Sequence, residues 1–161
     1  MTKPAEEFHY SLFREQYVYR QMRFLHLLQE DRERNKQHPD VKFFIKLRKA
    51  MDTCLDEPGH ARYYCGNTIA EQRYAGKQLG RGYAHWRRIK NDMPDRYRLF
   101  FQFSNRGRLV IFTWLNEPQD IRRDGSTNDV YAVFARLLAG GKIPNLFSDL
   151  LPQSSSMSDQ T

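Results

Sequence analysis

A chain of 161 residues, 40% hydrophobic and 28% charged, has the length of one domain and the composition of a soluble globular protein rather than a disordered one. Its longest uncharged apolar run, Leu109 to Leu115, is far too short to span a bilayer, and MTKPAEEFHY at the start lacks the apolar core of a secretory signal, so a cytoplasmic protein is expected. The net charge is +7, but Arg73 to Arg108 alone carries ten Lys/Arg against two Asp/Glu, a local +8 that points to a phosphate-rich or acidic partner.

In chain order, FHYSLF at 8–13 reads as a first strand. From Arg14 to Asn35 the pattern is helical: Phe13, Tyr17, Phe24 and Leu28 recur at four- and seven-residue steps, and His38-Pro39 ends the run. A second helix starts with Asp40 as its cap, lines Phe44, Leu47, Met51 and Leu55 along one face, and closes at Glu57-Pro58-Gly59. The two make a helical hairpin whose apolar stripes need a sheet or another helix to cover. Cys54 and Cys65 match no zinc-site pattern and read as reduced, buried thiols. His9, His26, His38 and His60 have no metal-ligand spacing. GKQLGRGY at 76–83 sets three glycines among basic residues, where backbone amides can approach a phosphate. It lacks the Lys-Ser/Thr end of a P-loop, which excludes ATP or GTP binding of that kind.

Three strands follow: WRRIK (86–90), RYRLFFQF (96–103) and RLVIFTWL (108–115), the last two joined by an SNRGR turn. Alternation puts Arg88 and Lys90 on one face of the first, with Ile89 opposite. On the second it groups Arg96, Arg98, Phe100 and Gln102 against Tyr97, Leu99, Phe101 and Phe103. After the loop NEPQDIRRDG comes a helix. Ser126 with Asp129 forms its capping box, Val130, Val133, Phe134, Leu137 and Leu138 its buried stripe, and Gly140-Gly141 its stop. Tyr131 falls off that stripe. PQSSSMSDQT at 152–161 reads as a disordered tail, leaving 1–151 as a single domain. The expected fold is α+β: a small antiparallel sheet with an N-terminal helical hairpin and a C-terminal helix packed on it. With the helices on one face, the other is left partly open and presents Arg88, Lys90, Arg98 and Arg96.

RYRLFF at 96–101 and WLNEPQDIRRDGSTNDVYAVFARLLAGGKIP from Trp114 resemble the YhaV toxin family, within the wider RelE/ParE-like toxin superfamily. The matching positions are Arg96 to Phe101, Trp114, Asn116, Glu117, Arg122, Gly125, Asp129, Tyr131 and Phe134. Upstream, Gly76, Lys77, Leu79, Gly80, Trp86, Arg88 and Lys90 fit the family's G-K-x-L-G and W-x-R-x-K patterns. Asp124 is a departure, an acid beside the site where a neutral or aromatic residue is expected. The resemblance implies a RelE/ParE-like fold and the toxin of a type II toxin–antitoxin system that cleaves RNA without a metal or other cofactor. It further implies a cognate antitoxin partner, with contact to the ribosome and, through the antitoxin, to operator DNA.

Such cleavage uses the ribose 2′-OH as nucleophile, so a protein has to move its proton and stabilise charge on the phosphate. Arginine suits the second task because its planar fork stays protonated and matches phosphate oxygens. Arg98 and Arg122 are the expected phosphate clamps, Arg88 a further phosphate or leaving-group contact, and Lys90 the group that moves a proton, its basicity lowered by neighbouring cations. Tyr131 can stack on a base or donate a hydrogen bond. Lys77, Trp86, Arg96 and Asp129 complete the set as RNA contacts. Each has a plainer alternative: Arg98 lying over apolar surface, Arg122 paired with Asp120 or Asp124, Tyr131 as a packing residue, Trp86 as core, Asp129 as a helix cap, and His85 outside the site. Phe100 and Phe112 would be the stacking positions if the chain were a non-catalytic nucleic-acid-binding or antitoxin-binding module acting in transcriptional regulation. A gyrase-directed toxin is a further alternative within the superfamily.

Overall fold

The computed structural model describes residues 4–65, 83, 85–104, 106, 108–118 and 130–156. Lys77, Arg122 and Asp129, with Asp124 and the Ser126 cap, lie outside the described residues. Five strands, β1 (Glu7–Tyr10), β2 (Arg87–Ile89), β3 (Leu99–Ser104), β4 (Leu109–Leu115) and β5 (Ser155–Ser156), form one sheet in the order β2-β3-β4-β1-β5. All neighbours are antiparallel except β1 and β4. The fold is α+β, as expected.

The hairpin is built from α1 (Phe13–Glu30), the single turn α2 (Arg32–Asn35) and α3 (Pro39–Asp56). The continuous helix expected to Asn35 is broken at Asp31, whose backbone is extended and whose carboxylate accepts the Arg34 N–H. Asn35 then turns inward and donates to the Leu27 carbonyl at 2.7 Å. His38 rather than Asp40 caps α3: its Nδ1 accepts the Asp40 N–H, with Pro39 supplying the first helical φ. The described part of the C-terminal helix, α4, spans Val130–Ala139 and ends on Gly141 at φ 74°, where the Gly141 and Lys142 amides close onto the Leu138 and Leu137 carbonyls. A further turn, α5 (Phe147–Leu150), follows.

Alternation along β3 divides the core in two. Leu99 and Phe101 join Phe13, Tyr17, Phe44, Leu47 and Met51 under the hairpin. Phe100 joins Trp86, Trp114, Phe134 and Leu138 under α4. The expectation of a partly open face is therefore corrected: helices cover both. Phe100, Ile111 and Trp114 give the second face too much apolar surface to leave in water, and α4 buries it. A bulge makes this possible. Phe100 pairs with Trp114 but Phe101 with Phe112, so Thr113 is the extra residue and β4 changes parity there. Phe112 thus faces the hairpin and Trp114 faces α4.

Two further expectations change. The buried stripe of α4 is Tyr131, Phe134, Ala135 and Leu138, with Val130 and Ala132, so it is rotated by about one residue and Tyr131 belongs to it. The tail does not begin at Pro152, since Ser155 and Ser156 pair with Tyr10 and His9. His9 Nδ1 also lies 2.9 Å from Ser154 Oγ, which fastens that strand to the sheet edge. Among the described residues no helix is long and apolar enough to cross a membrane.

Candidate active site

Arg88 pairs directly with Phe100 across β2 and β3, and antiparallel partners share a face, so the Arg88 side chain lies on the α4 side. Arg98 stands two residues before Phe100 and takes the same face. Tyr131, in the first turn of the described α4, reaches down to both. Its hydroxyl oxygen accepts Arg88 Nε–H at 2.8 Å and Arg98 Nε–H at 3.2 Å. The Tyr131 ring is held edge-on against Phe100 at a centroid distance of 5.7 Å. The Tyr64 carbonyl accepts Arg88 Nη1–H, and the Tyr97 carbonyl accepts Arg98 Nη1–H at 2.8 Å.

The electrostatics of this cluster are unusual. Arg88 and Arg98 are each 8% exposed, and neither forms an ion pair with a carboxylate among the described residues. Guanidiniums removed from water normally have an anion beside them, because desolvation is otherwise uncompensated. Among the described residues the compensation comes from carbonyls and one phenol, all neutral acceptors. A guanidinium has five N–H donors, so each retains the capacity to bind an oxyanion while keeping its protein bonds. Cys65 lies in the same core; burial pushes its thiol up to about 12 despite the opposing charges of Arg88 and Arg87. It is thereby an unreactive thiol rather than a nucleophile.

The expected site residues divide as follows. Arg88, Arg98 and Tyr131 come together. Lys90 is exposed, one residue beyond β2 and in register with the face of Arg88. Arg96 is not on the strand: it takes a left-handed conformation (φ 69°) in the turn before β3, is exposed, and points its Nε to within 3.9 Å of Asp95. A left-handed residue breaks the alternation that would have aligned it with Arg98. Trp86 is fully buried and its Nε1–H donates to Asn145 Oδ1 at 2.8 Å, so the core reading holds and the ring has no face for a base. Phe100 and Phe112 are likewise fully buried, and on opposite faces. His85 is exposed and hydrogen-bonds the Asn145 carbonyl at 2.6 Å.

Sequence reasoning missed three supports. Tyr64 acts through its backbone carbonyl, for which no side-chain signal exists. Asn145 ties together His85, Trp86 and Gln102 from a loop distant in sequence. Asn116 accepts the Arg98 N–H and was visible only as part of the Trp-x-Asn spacing. Arg87, on the opposite face to Arg88, lies over the Tyr64 ring at 4.6 Å. Among the described residues no cluster of His, Cys, Asp and Glu is arranged to hold a metal ion.

Residues 7–155 match the family model Toxin_YhaV, described as a toxin with endonuclease activity, of a toxin–antitoxin system. The curated Ribonuclease toxin YhaV of Escherichia coli (strain K12) is 39% identical over 70 residues, which is 43% of this chain and 45% of the relative. Toxin YhaV of Escherichia coli O157:H7 matches to the same extent. The similarity to these curated relatives thus spans less than half of their length. No solved structure matches the chain significantly.

Proposed function

We propose that this chain, which belongs to the YhaV toxin family, is an endoribonuclease and the toxin half of a toxin–antitoxin pair. One observation carries the reading. Two buried guanidiniums converge on one phenol oxygen with no carboxylate paired to either among the described residues, an arrangement complementary to an anion brought from outside. RNA supplies that anion as the scissile phosphate. In-line attack by the 2′-oxygen loads negative charge onto the phosphate oxygens, and fixed cations in a site with little water stabilise that charge better than water does. Arg88 and Arg98 hold the phosphate, and Arg122 joins them from the family motif. Tyr131 fixes both guanidiniums through its oxygen. Lys90, exposed on the same face, takes the 2′-OH proton or returns one to the departing 5′-oxygen. The products are a 2′,3′-cyclic phosphate and a 5′-OH, and no metal takes part. A cognate antitoxin covers this basic region, and contact with operator DNA is made through it.

The test pairs a labelled RNA with the same strand carrying 2′-deoxyribose at the cut position, both in the presence of a chelator. Cleavage of the first alone is the expected result. Arg98→Ala should lower the rate by at least about 100-fold, the effect of removing one preorganised charge stabiliser. Its unfolding midpoint should stay near that of the parent. Cleavage of the 2′-deoxy strand, or full activity in Arg98→Ala, overturns the proposal. Cleavage seen only with translating ribosomes would retain it and add the ribosome as a partner.

A further inference from the structure

We propose that Asn116 is a positioning residue that aims Arg98, an inference that rests on the reading of Arg98 as a phosphate-binding group. Leu99 and Leu115 are the last pair of the β3–β4 ladder, so Arg98 and Asn116 would be the next. The backbones do not continue the ladder there. The Asn116 side chain does: its Oδ1 accepts the Arg98 N–H at 2.7 Å, where a strand carbonyl would stand. Its Nδ2–H donates to the Arg96 carbonyl at 3.3 Å. One fully buried amide therefore clamps both ends of the three-residue turn 96–98.

What lies inside that clamp matters for the site. Arg96 is left-handed at φ 69°, a conformation that a residue with a Cβ holds only when its surroundings impose it. Tyr97 contributes the carbonyl that accepts Arg98 Nη1–H. The same turn thus sets where Arg98 leaves the backbone and provides one of its two guanidinium anchors among the described residues. The clamp is itself anchored. Gln16 of α1 accepts the Leu115 N–H at 3.1 Å and donates to the Leu115 carbonyl at 2.6 Å, which fixes the residue before Asn116. No other side chain of this size offers an acceptor and a donor at this separation. Aspartate keeps the acceptor and loses the donor, and leucine loses both.

The experiment is a double-mutant cycle with an independent spectroscopic readout. In the parent, Asn116→Ala should lower kcat for RNA cleavage between about 10- and 100-fold, the effect of misplacing a catalytic group by a fraction of an ångström to an ångström, with KM changed less than about twofold. In an Arg98→Ala background the same substitution should have no further effect on kcat. The Nε–Hε resonance of Arg98, assigned by its loss in Arg98→Ala, should shift and exchange faster in Asn116→Ala, while that of Arg88 stays in place. Equal loss of kcat in both backgrounds, or an unmoved Arg98 resonance, overturns the inference. If Asn116→Ala does not fold, Asn116→Asp carries the same cycle, because it keeps the acceptor for Arg98 and loses the donor to Arg96. Should the parent protein cleave no RNA, the proposed activity fails and the resonance shift still decides whether Asn116 aims Arg98.

Discussion

The two faces of the sheet contain the same pair of side chains in different electrical settings. Under the hairpin, Arg48 donates to the Tyr17 hydroxyl at 2.7 Å and lies 3.5 Å from the Asp52 carboxylate. Under α4, Arg88 and Arg98 both donate to the Tyr131 hydroxyl, with no carboxylate paired to them among the described residues. The first arrangement is electrically complete and sits at the edge of an aromatic core of Phe13, Tyr17, Phe44 and Phe101. The second is incomplete by the same standard and is buried. An arginine–tyrosine contact alone therefore says little about function. The lack of a paired carboxylate among the described residues, at two converging cations, is what sets the proposed site apart from the Arg48–Tyr17 contact.

The largest expected effect that tests this division is on stability. Phe101→Ala should cost about 3–5 kcal/mol, because it empties a fully buried ring site between β3 and the hairpin. Urea unfolding would measure it. RNA cleavage per folded molecule should remain near the parent value, since Phe101 points away from Arg98. Loss of cleavage in the molecules that remain folded would mean that the two faces are coupled more tightly than their separate cores suggest.

A matched pair of tyrosine substitutions sharpens the comparison. Tyr131→Phe keeps the ring against Phe100 and removes the oxygen shared by two guanidiniums. Cleavage should fall by about 10- to 100-fold as both phosphate contacts lose their aim. Tyr17→Phe removes the equivalent oxygen from Arg48 and should leave cleavage unchanged. Tyr17→Phe should lower stability by about 1–3 kcal/mol, the range for a hydrogen bond to a charged group, and Tyr131→Phe by at least as much, because it unpairs two buried charged donors. Equal cleavage in both variants would remove Tyr131 from the site and leave it a packing residue.

Much of this was legible in the sequence, and what was not has physical reasons. Alternation along 97–103 assigned Leu99, Phe101 and Phe103 to one face and Phe100 and Gln102 to the other, because a strand has a fixed period of two. It failed at Arg96, where a left-handed residue interrupts the strand, and offering Phe112 with Phe100 as stacking positions missed the bulge that changes the parity between Phe112 and Trp114. Neither signal is local to the residue it misplaces. The helix register of α4 slipped by one because Val133 and Leu137 are as apolar as the residues that face the sheet. That slip put Tyr131, a candidate site residue, off the buried stripe, whereas its ring is buried and its hydroxyl accepts from two arginines. Arg88 and Arg98 were singled out because charge is conspicuous. Asn116, Asn145 and the Tyr64 carbonyl were not, because a buried amide or a backbone oxygen carries no compositional signal.

The smallest effect is on alkaline stability, and it compares one acid from each face. Burial raises the Tyr63 phenol to about 12 despite the hydrogen bond from Arg62, and raises the Cys65 thiol to about 12 despite Arg88 and Arg87. Both groups hold their proton more tightly folded than unfolded. Each therefore contributes stability that is complete below its unfolded pKa and declines as pH rises towards the folded value. A thiol begins to ionise in the unfolded chain near about pH 8.5 and a phenol near about pH 10, so the losses separate in pH. Unfolding free energy followed from pH 8 to 11 should begin to fall with the thiols. Cys65→Ala should reduce that early slope, and Tyr63→Phe should alter only the steeper part above about pH 10. Cys54, buried under the hairpin with its thiol also pushed up by desolvation, contributes the remainder of the early slope. An unchanged slope in Cys65→Ala would mean that water reaches this thiol, and so reaches the core beneath Arg88 that the proposed site requires to be dry.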